Sequence, residues 1–182
     1  MPQRRDARRN REAILEAARE LFAESGDVAM YEVARRAGVG QATLYRNFPD
    51  RDALIAALSL EWLDNLERVG AERAGDPDGF FVLLRAIVES QAQFHGLVDC
   101  AKEPSALASE LELAQQRLAQ LIAGALRDAK SAALVRDDLS LEDVFLVMAM
   151  VEGALSREAD AAGRRVAAAR VLALALDGLS PA

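Results

Sequence analysis

One imidazole, at His95, and one thiol, at Cys100, are all that the chain offers for nucleophilic or metal chemistry. Together they cannot build a His-rich metal site, nor a Cys–His pair with a third orienting residue at any recognisable spacing. No phosphate loop, dinucleotide fingerprint or G-x-S-x-G elbow occurs, and "GVG" at 38–40 is a turn fragment. Carboxylates are plentiful, but on helices they form solvated faces and no pair stands out. No catalytic residue, metal site or cofactor is expected, and an enzyme is not the reading. Polar chemistry gathers instead in "VGQATLYRNFPDR", residues 39–51, where Gln41, Thr43, Tyr45, Arg46, Asn47 and Arg51 bring amides, hydroxyls and guanidiniums together. These groups make hydrogen bonds. Spacing alone leaves open whether they are ordinary surface or a recognition face.

The elements that must position them are helices. Aromatics make up only 5% of the residues, alanine and leucine dominate, and runs of Val, Ile and Thr are scarce, which favours helix over strand. From Ala7 to Ser25 the residues Ile14, Leu15, Ala18, Leu21 and Phe22 recur at three- and four-residue spacing, giving one apolar stripe. Gly26 ends that helix. Val33, Ala34 and Ala37 supply a short second helix, stopped by Gly38; Gly40 can cap a third over Gln41–Asn47, broken by Phe48-Pro49. Asp50 can cap the next, which begins at Arg51. Three helices with a very short glycine-bounded turn between the last two form a helix-turn-helix, in which Leu44 and Phe48 face the first helix and several polar residues point outward.

Beyond it the sequence predicts helices over Leu54 to about Arg73, Phe80–His95, about Ala106–Lys130, a stretch opened by the Ser140–Asp143 capping signature and running to about Arg157, and Gly163–Leu179. "GDPDG" at 75–79 reads as a turn and "VDCAKEPS" as an irregular link. His95 and Cys100 flank that break, either as a polar helix end and a buried small side chain or as the border of a ligand pocket. Val144–Val151 is apolar on all sides, and Val166–Leu176 is interrupted only by Arg170, so neither has the polar face of a surface helix. A second copy of the pair, related by two-fold symmetry, would cover them; the alternative is that both lie inside one domain.

Net charge is −7, but residues 1–53 hold 10 basic against 9 acidic side chains, whereas residues 54–182 hold 12 against 20. Arg4, Arg5, Arg8, Arg9 and Arg11 face only Asp6 within the first eleven residues. A lone cysteine, no apolar run long enough to span a bilayer and no secretory signal pattern point to a cytoplasmic location with no membrane role.

The run "REAILEAARELFAESG" followed by "VARRAGVGQATLYRNFPDRDAL" resembles the amino-terminal domain of the tetracycline-repressor (TetR) family of bacterial transcription regulators, over roughly residues 9–58. The resemblance implies an all-α fold of about nine helices, with a helix-turn-helix DNA-binding domain at 1–53 and an effector-binding and dimerisation domain at 54–182. It implies a recognition helix at Gln41–Asn47 in the major groove, with Gln41 and Thr43 toward base edges. Tyr45 and Arg51 would bind phosphate, Arg46 and Asn47 would complete the polar rim, and Arg8, Arg9 and Arg11 would extend as an arm along the flanking DNA. Relatives often carry Ser or Thr where this chain has Ala29-Met30-Tyr31, which leaves Asp27 as a substitute cap, and Gly40 stands in place of a common serine. The family also implies a small-molecule effector, for which Trp62, Leu66, Phe81, Leu84, Val88, Gln91, Phe94 and Met148 are the pocket candidates. A homodimer through the last two helices, about 140–158 and 163–179, would act as a repressor on a pseudo-palindromic operator of double-stranded DNA. The rival reading is a helical ligand-binding or interaction protein whose helix-turn-helix no longer binds DNA.

Overall fold

The computed structural model describes the backbone of residues 2–25, 28–93, 95 and 108–179, and the side chains of 5–25, 28–93, 95 and 112–178. These residues form eight α-helices and no strand: α1 Pro2–Glu24, α2 Met30–Arg36, α3 Gln41–Asn47, α4 Arg51–Glu72, α5 Gly79–Gln93, α6 Ala108–Ser131, α7 Leu141–Leu155 and α8 Ala161–Leu179. Gly26, Asp27, Phe94, Cys100 and the "VDCAKEPS" link lie outside the described residues, as do the end assigned to Gly26 and the cap assigned to Asp27. The chain divides into two units, one built on residues 1–60 and the other on residues 61–93 and 112–182, and the division falls within α4.

In the first unit, α1, α2, α3 and the start of α4 enclose one core of Ile14, Leu15, Ala18, Phe22, Val33, Ala34, Leu44, Phe48, Leu54 and Leu58. α2 ends in a tight reversal. Gly38 takes a positive φ of 67°, its N–H reaches the Arg35 carbonyl at 3.3 Å, and the Val39 N–H reaches the Ala34 carbonyl at 3.0 Å. This double closure needs a left-handed residue, a conformation that glycine adopts without steric cost.

The helix predicted from Ala7 begins earlier, at Pro2, and this corrects the expectation of a basic arm. Arg8, Arg9 and Arg11 were expected to extend as an arm, yet they lie within α1. Arginine and alanine are strong helix formers, Pro2 is tolerated in a first turn, and Arg8 pairs with Glu12 one turn on at 2.8 Å. No breaker separates this stretch from the apolar stripe, so the helix continues toward the amino end.

In the second unit, the carboxyl-terminal part of α4 packs with α5 to α8 around Leu63, Leu66, Phe80, Leu84, Ile87, Val88, Ile122, Leu126, Val144, Val151, Leu155 and Leu172. The Arg117 guanidinium of α6 grips Glu67 through both carboxylate oxygens, at 2.8 and 2.6 Å, and reaches Asp64 at 3.1 Å, fixing α6 against α4. α7 opens on the capping box read from the sequence: the Ser140 hydroxyl accepts from the Asp143 N–H at 3.1 Å, and the Ser140 N–H donates to the Asp143 carboxylate at 2.8 Å. The predicted turn at 75–79 is present, with Gly75 at φ 77° and the Gly79 N–H on the Asp76 carbonyl at 2.8 Å.

The last two helices are apolar both inward and outward. α7 buries Val144, Val147, Val151 and Leu155, while Phe145, Leu146 (61% exposed) and Met150 (60%) point away from that core. On α8, Val166 (71%) and Leu174 are likewise open. Their outer faces are thus uncovered in the single chain.

Candidate nucleic-acid interface

α3 is seven residues long, less than two turns, and too short to persist by its own hydrogen bonds. Gly40 caps it in extended conformation, with φ −72° and ψ 149°, and its carbonyl accepts the Thr43 and Leu44 N–H groups at 2.9 and 3.1 Å. Leu44 and Phe48, one turn apart, are buried in the first unit's core and hold the helix down. At its far end the Asp50 carboxylate accepts the Ala53 N–H at 2.8 Å, capping the start of α4.

That anchoring turns the other side chains outward. Gln41, Tyr45 and Arg46 are exposed, with Thr43 and Asn47 half-buried. Arg46 folds back along the helix: its Nε donates to the Ala42 carbonyl at 3.0 Å and its Nη2 to the Thr43 hydroxyl oxygen at 3.0 Å. Asn47 donates through Nδ2 to the Thr43 carbonyl at 2.8 Å. No acidic residue occurs on α3, and Arg46 in its last turn is favourable to the helix dipole.

The remaining expected DNA contacts are divided. Arg51, half-buried at the head of α4, lies with its guanidinium carbon 5.6 Å from the centre of the Phe22 ring. The Arg11 guanidinium stacks on Phe48 at 4.6 Å, joining α1 to the residue that caps α3. Arg8 and Arg9 are exposed, Arg8 in its pair with Glu12. On α2, where relatives often have a capping hydroxyl, Ala29 is the cap; it offers no side-chain bond, and its own N–H donates to the Glu32 carboxylate at 3.2 Å. Three exposed side chains of α2 were not among the site candidates: Tyr31, Arg35 and Arg36, the last paired with Glu20 at 2.7 Å. The signal for them was available, because Val33 and Ala34 fix the buried side of so short a helix.

The effector candidates fall in the second unit. Leu66, Leu84 and Val88 are buried within its core, and Trp62, Phe81 and Met148 pack half-buried against it. Gln91 is half-buried and donates through Nε2 to the Met148 carbonyl at 3.2 Å, linking α5 to α7. Gln91 Oε1 and Trp62 Nε1 are buried with no hydrogen-bond partner among the described residues. Phe94 lies outside the described residues. A surface groove of about 330 Å³ between α4 and α6 is lined by Glu67, Gly70, Arg73, Gln120, Gly124 and Asp128, among others, and by none of the described candidates.

Comparison with known proteins bears on both units. Residues 14–58 match the family model "Bacterial regulatory proteins, tetR family", and residues 76–181 match "Transcriptional regulator SbtR-like, C-terminal domain". The chain is 37% identical over 102 residues to the HTH-type transcriptional repressor LfrR of Mycolicibacterium smegmatis, a match covering 55% of this chain and 53% of that repressor, so it spans about half the length of that curated relative. Over 98% of the chain and 99% of the other it superposes on a TetR transcription regulatory protein from Mycobacterium vanbaalenii, with a TM-score of 0.67 and 31% identity. A TetR transcriptional regulator from Streptomyces coelicolor gives a TM-score of 0.68 at 29% identity, covering 94% of this chain and 98% of that one. With a helix-turn-helix held as described and both units matched, the chain belongs to the TetR family of bacterial transcription regulators.

Proposed function

We propose that the chain is a homodimeric, ligand-responsive repressor that binds a pseudo-palindromic operator in the cytoplasm, with residues 1–53 as its DNA-binding domain and 54–182 as its effector and dimerisation domain. The observation that carries the reading is the division of α3 into a buried side, Leu44 and Phe48, and an exposed polar side led by Gln41, Tyr45 and Arg46. In that reading Gln41 and Thr43 meet base edges, and Tyr45, Arg51 and the basic end of α1 hold phosphates. The outward apolar faces of α7 and α8 support a two-fold interface that sets two copies of α3 in successive major grooves, about 34–36 Å apart. Trp62, Gln91 and Met148, together with Leu66, Phe81, Leu84, Val88 and Phe94, border the effector site; the unpartnered Trp62 Nε1 and Gln91 Oε1 support a ligand that supplies an acceptor and a donor. An effector lowers operator affinity by favouring a dimer with the wrong spacing, and operator DNA must then weaken effector binding by the same factor.

The test is selection of bound duplexes by the purified protein, followed by salt titration on the selected site. A palindromic motif with a steep salt dependence is expected. Arg51→Gln should weaken all sequences alike and reduce the salt slope by about 1. An unchanged slope would remove the phosphate role from Arg51.

A further inference from the structure

We infer that Arg46 is a positioning residue that makes Thr43 a one-way hydrogen-bond donor, so that α3 selects a keto base, guanine or thymine, at the position Thr43 meets. The inference rests on α3 being the recognition helix and goes further, to the chemistry of one base.

A threonine hydroxyl carries one hydrogen and two acceptor lone pairs, so in isolation it reads donors and acceptors alike. Here one lone pair is already occupied: Arg46 Nη2 donates to Thr43 Oγ1 at 3.0 Å. The guanidinium is pinned by a second bond, from Nε to the Ala42 carbonyl at 3.0 Å, so the pair is held at two points. A charged donor polarises the hydroxyl. Its O–H becomes a better donor, while its remaining lone pair lies beside a full positive charge. An amine hydrogen approaching that lone pair meets like partial charge, whereas a carbonyl oxygen is attracted by both the hydroxyl hydrogen and the arginine's unused N–H groups.

Base edges differ in this respect. In the major groove guanine presents O6 and N7 and thymine presents O4, all acceptors, whereas cytosine presents its N4 amine and adenine its N6 amine beside N7. The Thr43–Arg46 pair therefore favours guanine or thymine and opposes cytosine most strongly. Asn47 adds to the arrangement, since its Nδ2 donates one hydrogen to the Thr43 carbonyl at 2.8 Å, which draws the amide back onto the helix. Arg46 and Asn47 are both drawn back onto Thr43, while Gln41 and Tyr45 stand exposed on the same helix.

The experiment is base-resolved binding-site selection with the full-length protein and four variants: Arg46→Met, Arg46→Lys, Thr43→Val and Thr43→Ser. Arg46 is exposed and Thr43 half-buried, and helical content measured by circular dichroism checks that each variant is folded. The expected result is one position per half-site with about a tenfold preference for keto over amino bases. That preference should fall to within about threefold in Arg46→Met and Thr43→Val, persist in Thr43→Ser and be partly restored in Arg46→Lys, with the other positions unchanged. A keto preference lost in Thr43→Val but intact in Arg46→Met would overturn the role of Arg46. An amine-bearing base at that position in the wild type would overturn the donor assignment while leaving operator binding intact. Absence of any selected DNA would overturn the recognition-helix reading, and this inference with it.

Discussion

Leu44→Ala tests whether α3 owes its existence to one buried side chain. Leu44 is 0% exposed, and α3 has only seven residues, against the ~12–15 at which an isolated helix becomes even marginal. Truncating a buried leucine costs about 2–5 kcal/mol, and with so little intrinsic helix stability about 3 kcal/mol is a fair working value. A unit of some 60 residues has a total stability of only about 3–9 kcal/mol, so the variant spends much of it. The clean assay is amide hydrogen exchange. The Phe48 N–H is bonded to the Leu44 carbonyl at 2.8 Å and the Leu44 N–H to that of Gly40 at 3.1 Å. At about 1.4 kcal/mol per factor of ten, both should lose about a hundredfold in protection, together with the other amides of α1 and α2. Amides of α7, such as Val144, belong to the second unit and should change little. If protection at Phe48 falls by less than about threefold, Leu44 does not hold α3 and the account of this helix is wrong.

Other consequences are open to direct measurement. Met150→Lys places a charge on the outward face of α7, and the protein should sediment as a 19.7 kDa monomer where the wild type gives a dimer; a dimeric variant would move the interface elsewhere. The Asp143 carboxyl is held below its ordinary pKa, first by the backbone N–H of Ser140 and then by its hydroxyl. A pKa lowered by folding stabilises the protein above the usual carboxylate range and ceases to do so as pH falls through the folded value. Asp143→Ala should therefore lower the thermal midpoint at neutral pH and converge with the wild type in acid; a constant difference across that range would contradict the cap. In Gly79→Ala the new Cβ would lie 2.9 Å from the Arg73 carbonyl oxygen, a backbone atom that cannot swing aside, so denaturant unfolding should show a loss of about 1–3 kcal/mol.

What the sequence made legible follows from how local each signal is. The bounds of α3 were readable to the residue because Gly40 and Phe48-Pro49 are punctuation that acts on its immediate neighbours. The start of α7 was readable for the same reason, through Ser140 and Asp143, whereas its end at Leu155, rather than near Arg157, depends on a turn with no strong breaker. The helix read from Ala7 was legible, whereas the arm implied by the resemblance for Arg8, Arg9 and Arg11 was not, because the Arg8–Glu12 pair and the absence of a breaker carry the helix back to Pro2. Pocket and core could not be told apart. Leu66, Leu84 and Val88 lie within the core, yet a leucine lining a cavity has the same helical spacing as one filling it. About nine helices were expected and eight are described, with residues 96–107 outside that set.

The arrangement of α3 also bears on how such a regulator changes over generations. In the proposed function, foldedness and recognition rest on different residues of one short segment: Leu44 and Phe48 face the core, and Gln41, Tyr45 and Arg46 face solvent. Substitutions on the solvent side stay within about 0.5 kcal/mol in stability, so a gene copy can drift toward a new operator without first losing its fold. Thr43 and Arg46 are the exception, because their hydrogen bond makes them change usefully only as a pair. In a divergent lineage these two positions should co-vary, while Gln41 varies independently of them.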